Sequence, residues 1–193
     1  MARFLMRCTG THGLLMHNVR LADPLDPIAR QLKRVSSHRN KTDEQHEEMA
    51  RLEHMGGLYM DPVIGPFIPG QNIERCLVEA ARITRAGKKI ERGVFIETDV
   101  NPLSYDGPRD VDGLWKDARF RHRAAVGVTT NRVMRTRPLF MSWRVEAEGS
   151  FDPDVISIEE FSDIAATAGL MIGLGDYRPR FGRFAGTVEE VAA

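Results

Sequence analysis

Cysteine is nearly absent. Cys8 and Cys76 are the only two in 193 residues, which excludes the disulfide framework of a small secreted scaffold. Long apolar runs are absent too. Nothing approaches the ~18 residues that argue for a membrane span, and the chain opens on the alternating stretch Met1-Ala-Arg-Phe-Leu-Met-Arg7 rather than on a leader. No membrane partner is expected, and a reducing cytoplasm is the expected compartment. Net charge is missing as well, with 27 Lys and Arg against 27 Asp and Glu. Bulk charge therefore selects no class of partner, although a neutral chain can carry a basic patch. Metal signatures also fail. His46-Glu47-Glu48 starts like a zinc-protease helix, but position 50 is Ala where a second His is required. Cys8, His12 and His17 have no second cysteine nearby to complete a zinc site. Neither a metal nor a cofactor is expected.

What is present fits one globular domain over residues 1–193, with 42% hydrophobic and 28% charged residues. Ala2 to Leu15 alternates as a strand, kinked where Gly10 and Gly13 interrupt it. Residues 20–42 read as irregular and carry Lys33, Arg34, His38, Arg39 and Lys41. Thr42 to His54 reads as a helix with Thr42 as N-cap and Gln45 closing a capping box, stopped by Gly56-Gly57. Together they make a helical insertion at about 20–57. A strand from Leu58 then runs into a rigid turn at Pro66, Pro69 and Gly70. Helix 71–86 follows, with Ile73, Leu77, Ala80 and Ala81 at helical spacing. Residues 92–100 alternate as a strand. Residues 138–148 read as one strong strand with Leu139, Met141, Trp143, Val145 and Ala147 on the core face. Ser157 to Ala168 reads as a helix with Ser157 as N-cap and Glu160 in a capping box, ended by Gly169.

Two stretches carry chemistry. The first, Met171 to Phe184, holds Gly173, Gly175 and Gly182, then Arg178, Arg180 and Arg183, with Tyr177, Phe181 and Phe184 interleaved. Glycine permits close backbone approach, arginine suits phosphate and aromatics offer stacking faces. The stretch follows a helix and leads to the last strand, so it is not the dinucleotide fingerprint. It reads instead as a clamp on a polymer backbone. The second lies within an excursion at about 101–136. There Lys116, Arg119, Arg121, Arg123, Arg132, Arg135 and Arg137 face the single acid Asp117, with Trp115, Phe120 and His122 between them. A basic hairpin with aromatic partners fits single-stranded nucleic acid.

The element order is β-α-β-β-α-β, the α+β ferredoxin-like (RRM-like) arrangement of two helices on a four-stranded antiparallel sheet. Pro66-Phe-Ile-Pro-Gly-Gln-Asn-Ile-Glu74 and Gly173-Leu-Gly-Asp-Tyr-Arg-Pro-Arg-Phe-Gly-Arg-Phe184 resemble the RAMP superfamily, whose members form backbone subunits of CRISPR effector complexes. The resemblance lies in a Pro-Gly turn into the first helix and a glycine-rich loop ending in Gly-Arg-Phe. Gln71-Asn72 departs from the two serines usual there. The resemblance implies RNA bound along a groove, a protruding basic hairpin and head-to-tail stacking. It places anchoring roles on Pro69, Gly70 and Gln71, and on Gly173, Gly175, Arg178, Gly182 and Arg183. A CRISPR subunit and a phage or mobile-element relative both fit it.

The expected function is non-catalytic binding of single-stranded RNA or DNA by a homo-oligomer. Two alternatives stand beside it. One is a RAMP-like ribonuclease using His12, His17 or His122. The other is an assembly protein whose hairpin meets Glu44, Glu47 and Glu48 of a neighbouring copy.

Overall fold

The computed structural model describes residues 1–128 and 131–191. In chain order the elements are β1 (Ala2–Gly10), β2 (Leu14–Leu15), α1 (Pro27–Ser36), α2 (Asp43–Gly57), β3 (Met60–Asp61), β4 (Gly65–Pro69), α3 (Gly70–Ile83), α4 (Gly87–Gly93), β5 (Val94–Ile96), β6 (Val100–Ser104), α5 (Val111–Lys116), β7 (Arg121–Val128), β8 (Asn131–Phe140), β9 (Arg144–Phe151), α6 (Ile158–Thr167) and β10 (Phe184–Val191). The fold is α+β. Seven strands make an antiparallel sheet in the order β10-β1-β9-β6-β4-β3, with β5 also paired to β9. A second sheet has the order β2-β8-β7. None of the helices described is long and apolar enough to cross a membrane.

Strand alternation places the core on one face of the large sheet. Phe4, Met6 and Cys8 of β1 and Val145, Ala147 and Phe151 of β9 point inward and are buried. Helix α3 covers them with Ile73, Cys76, Leu77, Ala80 and Ala81, and α6 with Phe161, Ile164 and Ala165. These positions recur every three or four residues, as a buried helix face requires. The Phe161 ring stands edge-on to Phe4 at 4.9 Å between centroids, with Phe151 6.4 Å from Phe4. Burying one such side chain contributes roughly 2–3 kcal/mol. Burial pushes the Cys76 thiol up to about 12 and raises Cys8 as well, so neither is poised as a nucleophile.

The opposite face carries compensated charge. Arg3 reaches Glu97 at 3.1 Å and Glu148 at 3.5 Å, while Arg7 reaches Glu146 at 3.0 Å and Glu189 at 2.7 Å. All six side chains are substantially exposed, so these pairs organise the face more than they stabilise it.

The hairpin β7–β8 is joined to the rest through β2 and α2. Glu53 of α2 is buried and accepts from the Thr136 backbone N–H at 2.8 Å and from the Arg135 guanidinium. Beside it, fully buried His54 donates Nε2–H to the Phe120 carbonyl at 3.0 Å and stands edge-on to Trp115. A carboxylate that bonds a backbone amide and a guanidinium at once fixes the base of the hairpin against the helix.

The structure departs from the sequence expectations at several points. The large sheet has seven strands rather than four. The strand expected over 92–100 is broken: α4 takes its start, and Glu97 to Asp99 separate β5 from β6. The expected strand from Leu58 is a tight hairpin, β3–β4, turned by the Asp61 side chain accepting from Val63 and Ile64 N–H. Residues 27–36 are helical, capped by Asp26 with Pro27 at the first position. Asp110 caps the short α5 in the same way. The strand expected over 138–148 divides at Met141-Ser142, and the buried face switches across the bend. Phe140 is fully buried and Met141 is exposed, while Trp143, Val145 and Ala147 are buried as expected. Gly169 does not end its helix, because a π-helical turn carries Ala168–Ile172 on to Gly173. The Ser157 cap is present, but the Glu160 carboxylate reaches Lys89 at 2.8 Å.

Burial lowers the His54 pKa to about 4 from an ordinary 6.5, and the Arg121 charge lowers it further against the opposing Phe120 hydrogen bond. The unfolded chain therefore takes up this proton near pH 6.5 and the folded chain only near 4. Stability is full above about pH 6.5 and is lost as pH falls between the two values. Urea unfolding at pH 7.5 and pH 5 should show a drop of about 2 kcal/mol from this group. His54→Gln should remove most of that drop; equal drops in the two proteins would assign the acid sensitivity elsewhere.

Candidate nucleic-acid interface

The glycine-rich stretch is folded inward along its backbone. The Leu174 N–H donates to the Gly182 carbonyl at 2.9 Å, the Gly182 N–H to Gly13 at 2.8 Å and the Asp176 N–H to Leu15 at 2.8 Å. The Gly173 N–H donates to Ala168 at 2.8 Å. Gly175 and Gly182 have φ of 78° and 76°, and a Cβ there would lie 2.2 Å from the Leu15 oxygen and 1.7 Å from the Leu174 oxygen. These glycines are required by the packing of the loop on β2 and the β1–β2 turn. The amides of Gly173 and Gly182 thus have internal acceptors. Phe184 is a core residue, packed against Trp143. Phe181 is half-buried, edge-on to His122 at 5.1 Å and 5.9 Å from the Tyr177 ring. Met171 and the run Tyr177 to Arg180 are exposed, and Arg183 is half-buried with a buried Nε–H that has no acceptor among the described residues.

The loop does meet the first turn of α3. A small pocket of about 140 Å³ between them is lined by Met16, His17, Tyr59, Ile68, Asn72, Arg75, Gly175 and Arg178. Of the expected anchors, Gly175 and Arg178 line it. Pro69, Gly70 and Gln71 do not. Pro69 is the N-cap residue and makes no side-chain cap bond. Gly70 is buried, donates to the Asp99 carbonyl at 3.2 Å, and leaves no room for a Cβ, which would lie 2.5 Å from the Thr98 oxygen. Gln71 is exposed. Asn72 and Arg75 present the pocket wall instead, three residues apart on one helix face. Glu79 lies between the two arginines, 2.6 Å from Arg75 Nε and 3.2 Å from Arg178 Nη1. Burial raises its pKa, but Arg75 and Arg178 outweigh that and hold the carboxyl below its usual range. Burial lowers the His17 pKa, opposed by Asp176 and reinforced by Arg137 and Arg135. The imidazole is a neutral hydrogen-bonding group at neutral pH.

The basic stretch forms the expected hairpin, with Arg121 opposite Pro138 and Arg123 opposite Thr136. Its cations divide into two sets. Arg119 pairs with Asp117 at 2.7 Å, Arg135 with Glu53 and Arg137 with Asp176 of the glycine-rich loop. Arg121 lies over the Trp115 ring at 4.8 Å. Lys116, Arg123 and Arg132 have no carboxylate partner among the described residues. They are exposed. Between the hairpin, α5 and α2 lies a cleft of about 1000 Å³.

The histidines named for a ribonuclease stand apart. His12 touches Thr11 Oγ1 at 3.3 Å, His17 lines the Arg178 pocket and His122 packs on Phe181. No hydrogen bond joins any two of them among the described residues. Nor does any group of three or more His, Cys, Asp or Glu side chains among those residues converge as metal ligands. No protein-family model matches the sequence, and a search of curated proteins finds no match.

Sequence reasoning did not place Asn72, Arg75 or Tyr59 in a pocket, and it named His17 for other chemistry. Asn72 and Arg75 were legible as polar positions in the first turns of a helix; Tyr59 and His17 reach the pocket only through tertiary folding. The inward backbone makes a sharp forecast. Gly182→Ala places a methyl against the Leu174 carbonyl in a left-handed conformation, at a cost of about 3 kcal/mol. Thermal unfolding should fall by roughly 6–12 °C. A change below ~2 °C would mean that the loop yields around Leu174 instead of packing rigidly.

Proposed function

We propose that this protein binds single-stranded nucleic acid without cleaving it, as a RAMP-like subunit that assembles with further copies of itself. The observation that carries the reading is the hairpin. With α5 beside it, it presents Lys116, Arg123 and Arg132 with no carboxylate partner among the described residues, on a chain whose total charge is zero. Elsewhere Arg3 and Arg7 on the open sheet face are matched by four glutamates, so phosphate is favoured at the hairpin and not on that face. The pocket of Asn72, Arg75 and Arg178 with the exposed Tyr177 adds a second polar and aromatic contact region.

A ferredoxin-like core within the larger sheet is part of the same proposal. Strands β10, β1 and β9, with β5 and β6 beyond, lie side by side, and α3 and α6 pack on one face. The remaining strands and α1, α2 and α5 are then additions to that core. Leu170 and Met171 are exposed beside the glycine-rich loop and supply an apolar patch that suits contact with another copy. Two buried, unpaired thiols agree with a reducing cytoplasm.

The test is anisotropy with labelled single-stranded RNA and DNA at several salt concentrations. Each phosphate neutralised on a single strand contributes about −0.7 to the slope of log K against log salt. Replacing Lys116, Arg123 and Arg132 together by Ala should weaken binding at least tenfold and flatten the slope by about 2. No affinity for either polymer at low salt would end this reading.

A further inference from the structure

The cleft between hairpin and helical insertion is lined by both signs of charge, and that combination narrows what it can hold. On one side Trp115 is half-buried with the Arg121 guanidinium 4.8 Å above its ring. The Arg121 Nε–H is buried and has no acceptor among the described residues. Arg123 of the hairpin also lines the cleft, as does Lys41, just before α2, whose Nζ donates to the His38 carbonyl. On the other side stand Asp43 and Glu47, one helical turn apart on α2. Neither carboxylate has a cationic partner within the chain among the described residues, although four cations line the same cleft.

A polyanion entering here meets attraction from one wall and repulsion from the other. The repulsion vanishes only where the ligand offers donors to the carboxylates. The occupant therefore needs three things. It needs a flat face for Trp115 and Arg121, an anionic group for Arg123 and Lys41, and adjacent N–H donors for a carboxylate. Among nucleobases, guanine alone presents two neighbouring donors on its Watson–Crick edge, N1–H and the N2 amine. Adenine and cytosine each place a single exocyclic amine beside an acceptor. Uracil and thymine place one N–H between two carbonyl oxygens. Unpaired bases of a single strand are read on this edge while stacked on aromatic side chains. A cleft of about 1000 Å³ has room for one nucleotide with its flanking phosphates.

We infer that the cleft is a guanine-reading subsite. The base stacks on the Trp115–Arg121 wall, its N1–H and N2–H donate to the α2 carboxylates, and its phosphates meet Arg123 and Lys41. This rests on the proposed single-strand binding and adds sequence preference to it.

The test compares single-stranded nonamers that differ at one central base: all uridine, or one guanosine, inosine or adenosine among uridines. The guanosine nonamer should bind about tenfold more tightly than the uridine one, in the range of one bidentate base contact. Inosine lacks the N2 amine and should fall most of the way back to uridine, with adenosine beside it. In an Asp43→Asn, Glu47→Gln double variant the guanosine-to-uridine affinity ratio should drop to about one. That ratio is taken within one sample, so partial unfolding does not distort it. Equal affinity of the native protein for all four nonamers overturns the guanine subsite and leaves single-strand binding standing. A preference that survives in the double variant removes the carboxylates, and this inference with them. Failure of every nonamer to bind overturns both readings.

Discussion

The fold depends on a knot of backbone hydrogen bonds where the chain passes between its two sheets. After β1 leaves the large sheet, Gly13 and Leu15 offer carbonyls that are taken by Gly182 and Asp176 of the loop before β10. Gly182 in turn accepts from Leu174. Residues at opposite ends of the sequence thus satisfy one another, and the small sheet cannot turn against the large one without leaving several peptide groups unpaired. Such groups, once shut away from water, are costly to orphan. The glycines are there because the chains approach too closely for any other residue. The Arg137–Asp176 pair and the edge-on contact of His122 with Phe181 extend the same junction into the hairpin.

Charge is partitioned by structure rather than by composition. A total of zero conceals a sheet face where Arg3 and Arg7 are answered by glutamates and a hairpin region where Lys116, Arg121, Arg123 and Arg132 have no carboxylate partner among the described residues. The hairpin's other cations have internal tasks. Arg135 neutralises buried Glu53, Arg137 ties the loop and Arg119 closes on Asp117. The count of arginines along a sequence therefore overstates what is available to a ligand.

Much of the architecture was legible in the sequence where one physical signal dominated. The Thr42 capping box, the apolar spacing of α3 and α6, the inward alternation of β1 and the hairpin itself all stand as local periodicity implies. Residues 27–36 carry Ile28, Leu32 and Val35 at the spacing of one helix face, behind the Asp26-Pro27 start; reading 20–42 as irregular from its basic residues passed over both signals. Met141-Ser142 gave no sign of a bend, because alternation continues through it in sequence while the buried face changes in space. The glycine-rich stretch was legible as a place of close approach. What approaches it, Leu15 and Gly13 rather than a ligand, is a tertiary fact. The α3 pocket was half legible: Arg178 and Gly175 were named, while Asn72 and Arg75 belong to a helix face whose outlook depends on where the loop lies.

The clasp of Glu53 on Arg135 and Thr136 has a mechanical corollary. It holds the hairpin at its root, and Arg132 sits four residues farther out. At roughly 3.3 Å per residue that is a lever arm of about 13 Å. A rotation of ~10° about the root would carry the Arg132 backbone by about 2 Å, nearly the difference between a direct phosphate contact and a water-bridged one. The reach of Arg132 is therefore set by a carboxylate buried at the root of the hairpin.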